Sequence, residues 1–564
     1  MKPTFIALLA MSVLILIVAL PARSFAQDTL DVPNIISGDP VGAINKTILG
    51  DTLANGQPVN PNRVYRLARG LVYYTSGVME LRREVRIMAP DQPATTKPPI
   101  IAPAILQDGS TAPAPVFRFY KNSTVKNLYI TRIRPDTANA ALDYSQAIEL
   151  MGDSTRCVIQ GCVFDGWGGG VLYKRAVFNK IYITDCIIRN GLNGGGSWFG
   201  GNVFLSGATP GDTVVMVNNT EFNCGSYLFV PNREITTYER VEHNTVITTH
   251  VNPLYAPYLT NCYIRSNIFW GTLAMGQSNA EIAGGWFDWS GAPSSTVSID
   301  SIPSTLLTKY GITEGARKVV VTNNVYFWPQ AYYDQWHNVF KDTLTPPVWM
   351  NTRTLGMFTN DAGYPNLYDA NNQNVDPGYD ATMMNTVVTN LLAYCRRNRG
   401  DLTQPNQHFY APAGTSIFAG DPTFPWPLPE NLAYSSVALQ TAGHDGFPVG
   451  DLNWFPTKKA QWLLTEVAKD EPVGLPTQFE LLQNYPNPFN PSTQIRYALG
   501  QSGKVSLKIY SVTGQLVQTV LDGVEQARGS YTVDVNMSNH ASGAYFYVLQ
   551  QGANRQVKAM MLLK

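Results

Sequence analysis

One short phrase recurs through the middle of the chain and limits the possible folds more than any other feature. Between about residue 124 and residue 328 an alternating apolar run is followed by Asn, Asp or Cys and then by another apolar residue. It reads Leu128-Tyr129-Ile130-Thr131, Cys157-Val158-Ile159-Gln160-Gly161-Cys162-Val163-Phe164, Ile181-Tyr182-Ile183-Thr184-Asp185-Cys186-Ile187-Ile188 and Val214-Val215-Met216-Val217-Asn218-Asn219. It returns as Val241-Glu242-His243-Asn244-Thr245-Val246, Tyr263-Ile264-Arg265-Ser266-Asn267-Ile268-Phe269 and Val319-Val320-Val321-Thr322-Asn323-Asn324-Val325-Tyr326. With the Asn or Cys as register, Cys162, Cys186, Asn219, Asn244, Asn267 and Asn324 are spaced by 24, 33, 25, 23 and 57 residues. A period in the low twenties, lengthened by insertions, marks a solenoid.

Each phrase is too short to bury its own apolar face. Coils stacked ~4.8 Å apart form parallel sheets whose inward side chains make one continuous core. The expected fold is therefore all-β, a right-handed parallel β-helix over residues 27–455 with insertions. Asn at the register column tolerates a sharp turn, and its amide can bond the next Asn in the stack; Cys162 and Cys186 fill the same corner as a small apolar stack. A sandwich or propeller would place NG and DG turns between paired alternating runs, and they do not fall there. Strands near 63–67, 71–74 and 84–87 open the solenoid and cap its end, while residues 272–315 and 330–450 break the repeat. In the second break Met384, Val387, Val388, Leu391, Leu392 and Cys395 share a helical face, with Asp380 to start the helix and Gly400 to stop it.

The two ends of the chain carry addresses. Lys2, the apolar run Phe5 to Leu20 and Ser24-Phe25-Ala26 make residues 1–26 a secretory signal peptide, too short for a membrane span. Residues 456–477 are read as a linker with a short helix at Ala460 to Lys469. The segment 478–564 then opens FELLQNYPNPFNPSTQIRYAL and closes GAYFYVLQQGANRQVKAMMLLK. Its prolines form turns, and alternating runs at 494–498, 504–510, 515–520, 531–535, 544–550 and 556–563 predict a small immunoglobulin-like β-sandwich. This tail resembles the type A C-terminal sorting domain of proteins exported by the type IX secretion system. That resemblance implies the secretion machinery as partner, passage across the outer membrane, removal of the tail, and a cell-surface or extracellular destination. The cargo, from its opening at Gly50 to Gly70 and its close at His444 to Trp454, resembles pectin-lyase-like β-helix surface proteins, which implies fold rather than activity.

Lys plus Arg number 41, as do Asp plus Glu, so no nucleic-acid partner is indicated, and no later segment spans a membrane. The six cysteines contain no CxxC pair and read as buried thiols, with a disulfide as the alternative that export permits, so no metal site or cofactor is predicted. The fold family points to an extracellular polysaccharide, with binding as the first reading. The strings typical of its pectin hydrolases (Asn-Thr-Asp, Asp-Asp, Gly-His-Gly, Arg-Ile-Lys) do not occur. A lyase acting on uronate-containing glycans is the enzymatic alternative and would bring in Ca²⁺ to neutralise the carboxylate. Its candidate residues are Glu242 and Arg265, on adjacent coils in the outward column two positions before the register, together with His243. The plainer reading makes the first two a surface ion pair and His243 a turn residue. Trp167 and Trp198, in glycine-rich loops, and Trp270 are candidate sugar-stacking platforms, or else cover the sheet ends. A structural adhesin is the third alternative.

Overall fold

The computed structural model describes residues 28–53, 59–60, 63–91, 95–133, 145–192, 200–285, 291–405, 408–417, 421, 423–469, 479–484, 486–499, 503–526 and 529–564. Residues 1–26 and Trp198 lie outside them. Three parallel sheets wind through the cargo as a β-helix. The first has eleven strands, from Thr29–Val32 to Leu367–Ala370, the second ten, from Val72–Thr75 to Gln373–Asn374, and the third six, from Met79–Leu81 to Phe229–Val230. Neighbouring strands in each sheet come from successive coils, as in Val158 opposite Tyr182, Tyr182 opposite Val215 and Val215 opposite Arg240. The helix Ala43–Gly50 buries Ile44 and Ile48 at the open end of the solenoid, where unpaired strands need cover.

The register column stands at the corner between the first and second sheets. The Oδ1 atoms of Asn219, Asn244, Asn267 and Asn324 accept backbone N–H bonds from Cys186, Asn219, Asn244 and Asn267, at 3.0–3.1 Å. Each Nδ2 then donates to a strand carbonyl of the preceding coil: Asn219 to Ile183, Asn244 to Met216, Asn267 to Val241 and Asn324 to Ile264. Cys162 and Cys186 point their thiols at the equivalent carbonyls of Val125 and Ile159, both at 3.7 Å. The cysteines thus supply weak donors as well as apolar bulk. Asn372, in a stretch read from sequence as a break, continues the ladder by accepting from Asn324. The residue before each column member takes the left-handed conformation, including Asp185 (φ 58), Asn218 (φ 55), His243 (φ 50), Ser266 (φ 55) and Asn323 (φ 56). All six cysteines are buried and unpaired.

Among the polar side chains that interrupt the inward apolar columns are two carboxylates. Glu221 stands in register between Ile188 and Val246, and Glu239 between Val214 and Cys262. Burial pushes the Glu221 carboxyl well above its usual range and that of Glu239 up to about 8, where Thr236 and Arg317 pull against it. Glu239 therefore binds a proton in the folded chain that the unfolded chain releases above about 4.5. Its contribution is fully present below that pH and is lost as pH rises through about 8. Glu239→Gln is expected to raise stability at pH 8 by on the order of 4 kcal/mol and to leave it nearly unchanged at pH 4.5. Denaturant unfolding at the two pH values checks this.

The helix Ala381–Asn398 forms as its periodicity predicts, with Asp380 capping Met383 N–H and Met384, Val388 and Leu391 buried in a second core beside the second sheet. From residue 401 the chain becomes a strap that runs along the second sheet and returns. Phe424 meets Tyr129 edge-on at 5.5 Å, and Tyr410 meets Phe222 at 5.3 Å. The region expected to be linker starts as part of this strap. Its helix spans Pro456–Lys469, longer than predicted, with Trp462 packed with Val215 and Val217 and Lys459 paired to Asp185 at 2.5 Å. The tail is a sandwich of a three-stranded sheet on a four-stranded sheet around Tyr497, Leu507, Tyr547 and Leu562, with every strand pair antiparallel.

Candidate functional site

Glu242, His243 and Arg265 converge, but under the strap rather than in an open groove. Glu242 sits at the end of Thr236–Glu242 in the first sheet, opposite Arg265 on the next coil. Its carboxylate is fully buried and takes bonds from Arg240 and from Arg265 Nε at 2.5 Å. Burial alone would raise its pKa, yet the guanidinium groups of Arg240 and Arg265 hold it below the carboxylate range. The expected surface ion pair is thus a buried one, because strap residues 443–448 lie over this corner and exclude water. His243 is fully buried, with Nδ1 3.1 Å from Pro448 O and Nε2 3.1 Å from Asp445 Oδ2. It remains a turn residue, as the plainer reading has it.

The strap supplies what the sequence did not assign. Asp445 accepts from Trp462 Nε1 at 2.9 Å and from Phe447 N at 3.2 Å. Burial raises its pKa, but its contact with the His243 ring outweighs that and holds the carboxyl well below its usual range. His444 lies 2.8 Å from Ser266 Oγ through Nδ1, and burial pushes its pKa down to about 4. A second buried group ties the strap further along: Arg189 donates to Glu430 at 2.5 Å, to Asp165 at 2.9 Å and to Tyr410 O at 3.1 Å. None of these partners is near Arg189 in sequence except Asp165, so only the folded strap reveals them.

The tryptophan platforms are corrected for the two that can be placed. Trp167 is 2% exposed and donates its indole N–H to Ile130 O at 3.0 Å. The left-handed turn at Gly166 (φ 71) carries its ring into the first core instead of outward. Trp270 is 4% exposed, packs in the second core with Tyr379 edge-on, and donates to Asp376. Their faces are covered by protein and cannot stack on a sugar. A cleft of about 500 Å³ lies open between the start of the helix Ala381–Asn398 and the strap. Thr382, Met383, Thr386, Tyr410, Pro412 and Asn431 line it.

At the far end of the chain, antiparallel strands follow the turn closed by Asn484, whose amide donates to Pro486 O and Thr493 Oγ1. A family model described as the secretion system C-terminal sorting domain matches residues 483–563. The tail is a type IX secretion sorting domain. Its presence assigns the chain to export through the outer membrane to the cell surface or the extracellular space, with the type IX machinery as partner. No curated protein matches the chain. Among the described residues no helix is long and apolar enough to cross a membrane.

Proposed function

We propose that the sorting domain delivers a β-helix that holds an extracellular polysaccharide without cleaving it, seating a short run of sugars in the cleft beside Tyr410. The observation that carries this reading is the cleft itself. Its volume of about 500 Å³ falls in the range of ligand sites, and it mixes hydroxyl and amide groups with apolar walls. Thr382, Thr386 and Asn431, all exposed, offer donors and acceptors to sugar hydroxyls, while half-buried Pro412 offers apolar surface and the edges of Met383 and Tyr410 close the floor. A uronate lyase would need a base and a carboxylate-neutralising group open to a polymer. Glu242 and His243 are fully buried, the first paired with Arg240 and Arg265 and the second engaged with the strap, which favours binding over elimination.

The test is retention of the full-length protein on insoluble glycans, uronate-containing ones included, with the supernatant followed for unsaturated uronate in the ultraviolet. Retention without product is expected, and Thr386→Trp, which fills the cleft, is expected to weaken it about tenfold or more. Equal retention by the variant refutes the cleft. Unsaturated product would establish the lyase instead, and failure to hold any glycan would leave a structural adhesin.

A further inference from the structure

His243 is buried with both ring nitrogens facing acceptors. Pro448 O lies 3.1 Å from Nδ1 and the Asp445 carboxylate 3.1 Å from Nε2. A neutral imidazole carries one N–H. If the carbonyl takes it at Nδ1, the Nε2 lone pair points at a carboxylate oxygen, and only a cation between them makes the contact favourable. Asp445 is arranged as an anion, since Trp462 Nε1 and Phe447 N both donate to it. His444 stands beside them. Its backbone N–H donates to Ser266 Oγ and its Nδ1 lies 2.8 Å from the same hydroxyl, while among the described residues nothing engages its Nε2.

We infer that His243, His444 and Asp445 form a site for a divalent transition-metal ion of the zinc type, which clamps the strap to the corner of the β-helix. One ligand atom from each of the three lies within 4.8 Å of the others. The separation of 3.1 Å between His243 Nε2 and Asp445 Oδ2 suits two ligands each about 2.0–2.1 Å from one ion. Two imidazoles with one carboxylate favour zinc-like ions, whereas calcium and magnesium take mostly oxygen. The outer contacts fit as well: a carbonyl orients the His243 ring, a hydroxyl the His444 ring, and two N–H groups the carboxylate. His243 belongs to the turn and the other two to the strap, so the three donors meet only when the strap is seated. An ion bound there stabilises the folded chain by mass action.

The test strips the full-length protein with a chelator and titrates it with Co²⁺, followed by visible absorption, and with Zn²⁺, followed by equilibrium dialysis and thermal unfolding. One equivalent of bound ion is expected, with a rise of several degrees in Tm at saturation. The equivalent is expected to be lost in His444→Ala and in His243→Asn. The second variant guards against simple misfolding, because Asn218 and Asn323 occupy the same left-handed position on other coils. If the stripped protein takes up no equivalent, the occupant is a proton and His243 is an imidazolium, which overturns the inference. Uptake that is undiminished in both variants, as an exposed pair such as His337 and Asp342 would give, overturns it too.

Discussion

Arg189→Met is expected to destabilise the protein by about 3–5 kcal/mol and to loosen the strap, although Arg189 lies nowhere near an open surface. The guanidinium is 2% exposed and neutralises two carboxylates that are themselves buried, Asp165 and Glu430. Asp165 has other support, since Tyr129 Oη donates to it at 2.5 Å and Asn190 Nδ2 at 3.2 Å. Glu430 leans on Arg189 more heavily; burial pushes its pKa up, and the nearby guanidinium is the main force in the other direction. Methionine fills the volume but leaves both acids without a cation. Restoring the original net charge with Glu430→Gln in the same chain is expected to recover at least half of the loss. Urea unfolding measures the energies, and limited proteolysis between residues 401 and 469 reports whether the strap lifts. A loss below about 1 kcal/mol would mean that the strap is held by its other contacts and that the buried charge cluster adds little.

The amide ladder gives the second large effect. Asn267 donates to Val241 O at 2.8 Å and to Asn324 Oδ1 at 2.9 Å, and its Oδ1 accepts both the backbone and the side-chain N–H of Asn244 at 3.0 Å. Asn267→Ala removes all four bonds inside a dry corner. An unmatched buried polar group costs about 1–3 kcal/mol, so a total loss of roughly 3 kcal/mol or more is expected. Asn267→Cys should recover part of it, because this chain already places Cys162 and Cys186 in that column with their thiols aimed at the matching carbonyls. Denaturant midpoints of the two variants decide the order; alanine equal to cysteine would show that the thiols contribute bulk only.

The ladder was legible because it repeats. Six positions at short spacing gave the column, the neighbouring turn and the outward column that pairs Glu242 with Arg265, and the pairing follows that register. Asn372, 48 residues beyond Asn324, escaped because Asp369 and Gln373 interrupt the apolar alternation that marks the other members of the column. The strap could not be read at all. Its contacts join residues 202 apart at His243 and Asp445 and 241 apart at Arg189 and Glu430, and a proline-rich segment without periodicity carries no sign of what it will cover. The same gap hides the burial of Glu242, whereas Trp167 departs from a platform for a local reason, the left-handed turn at Gly166 that carries its ring into the first core. Alternation tells which side of a strand faces the core, but not whether a distant segment will bury the other side. Helix Ala381–Asn398 was legible for the opposite reason, since its cap and its apolar face are both local.

Stacking of the rungs is the claim on which the rest depends. Thr124 and Tyr368 stand in one outward column of the first sheet, seven steps apart through Val158, Tyr182, Val215, Arg240, Tyr263 and Val320. Spin labels on Thr124→Cys and Tyr368→Cys, with the native thiols buried, can be measured by double electron–electron resonance. Parallel coils at ~4.8 Å predict a single narrow distance of about 34 Å, widened by a few ångströms for the label arms. A broad distribution, or a separation nearer half that value, would contradict a continuous stack and with it the corner, the strap and the site beneath it.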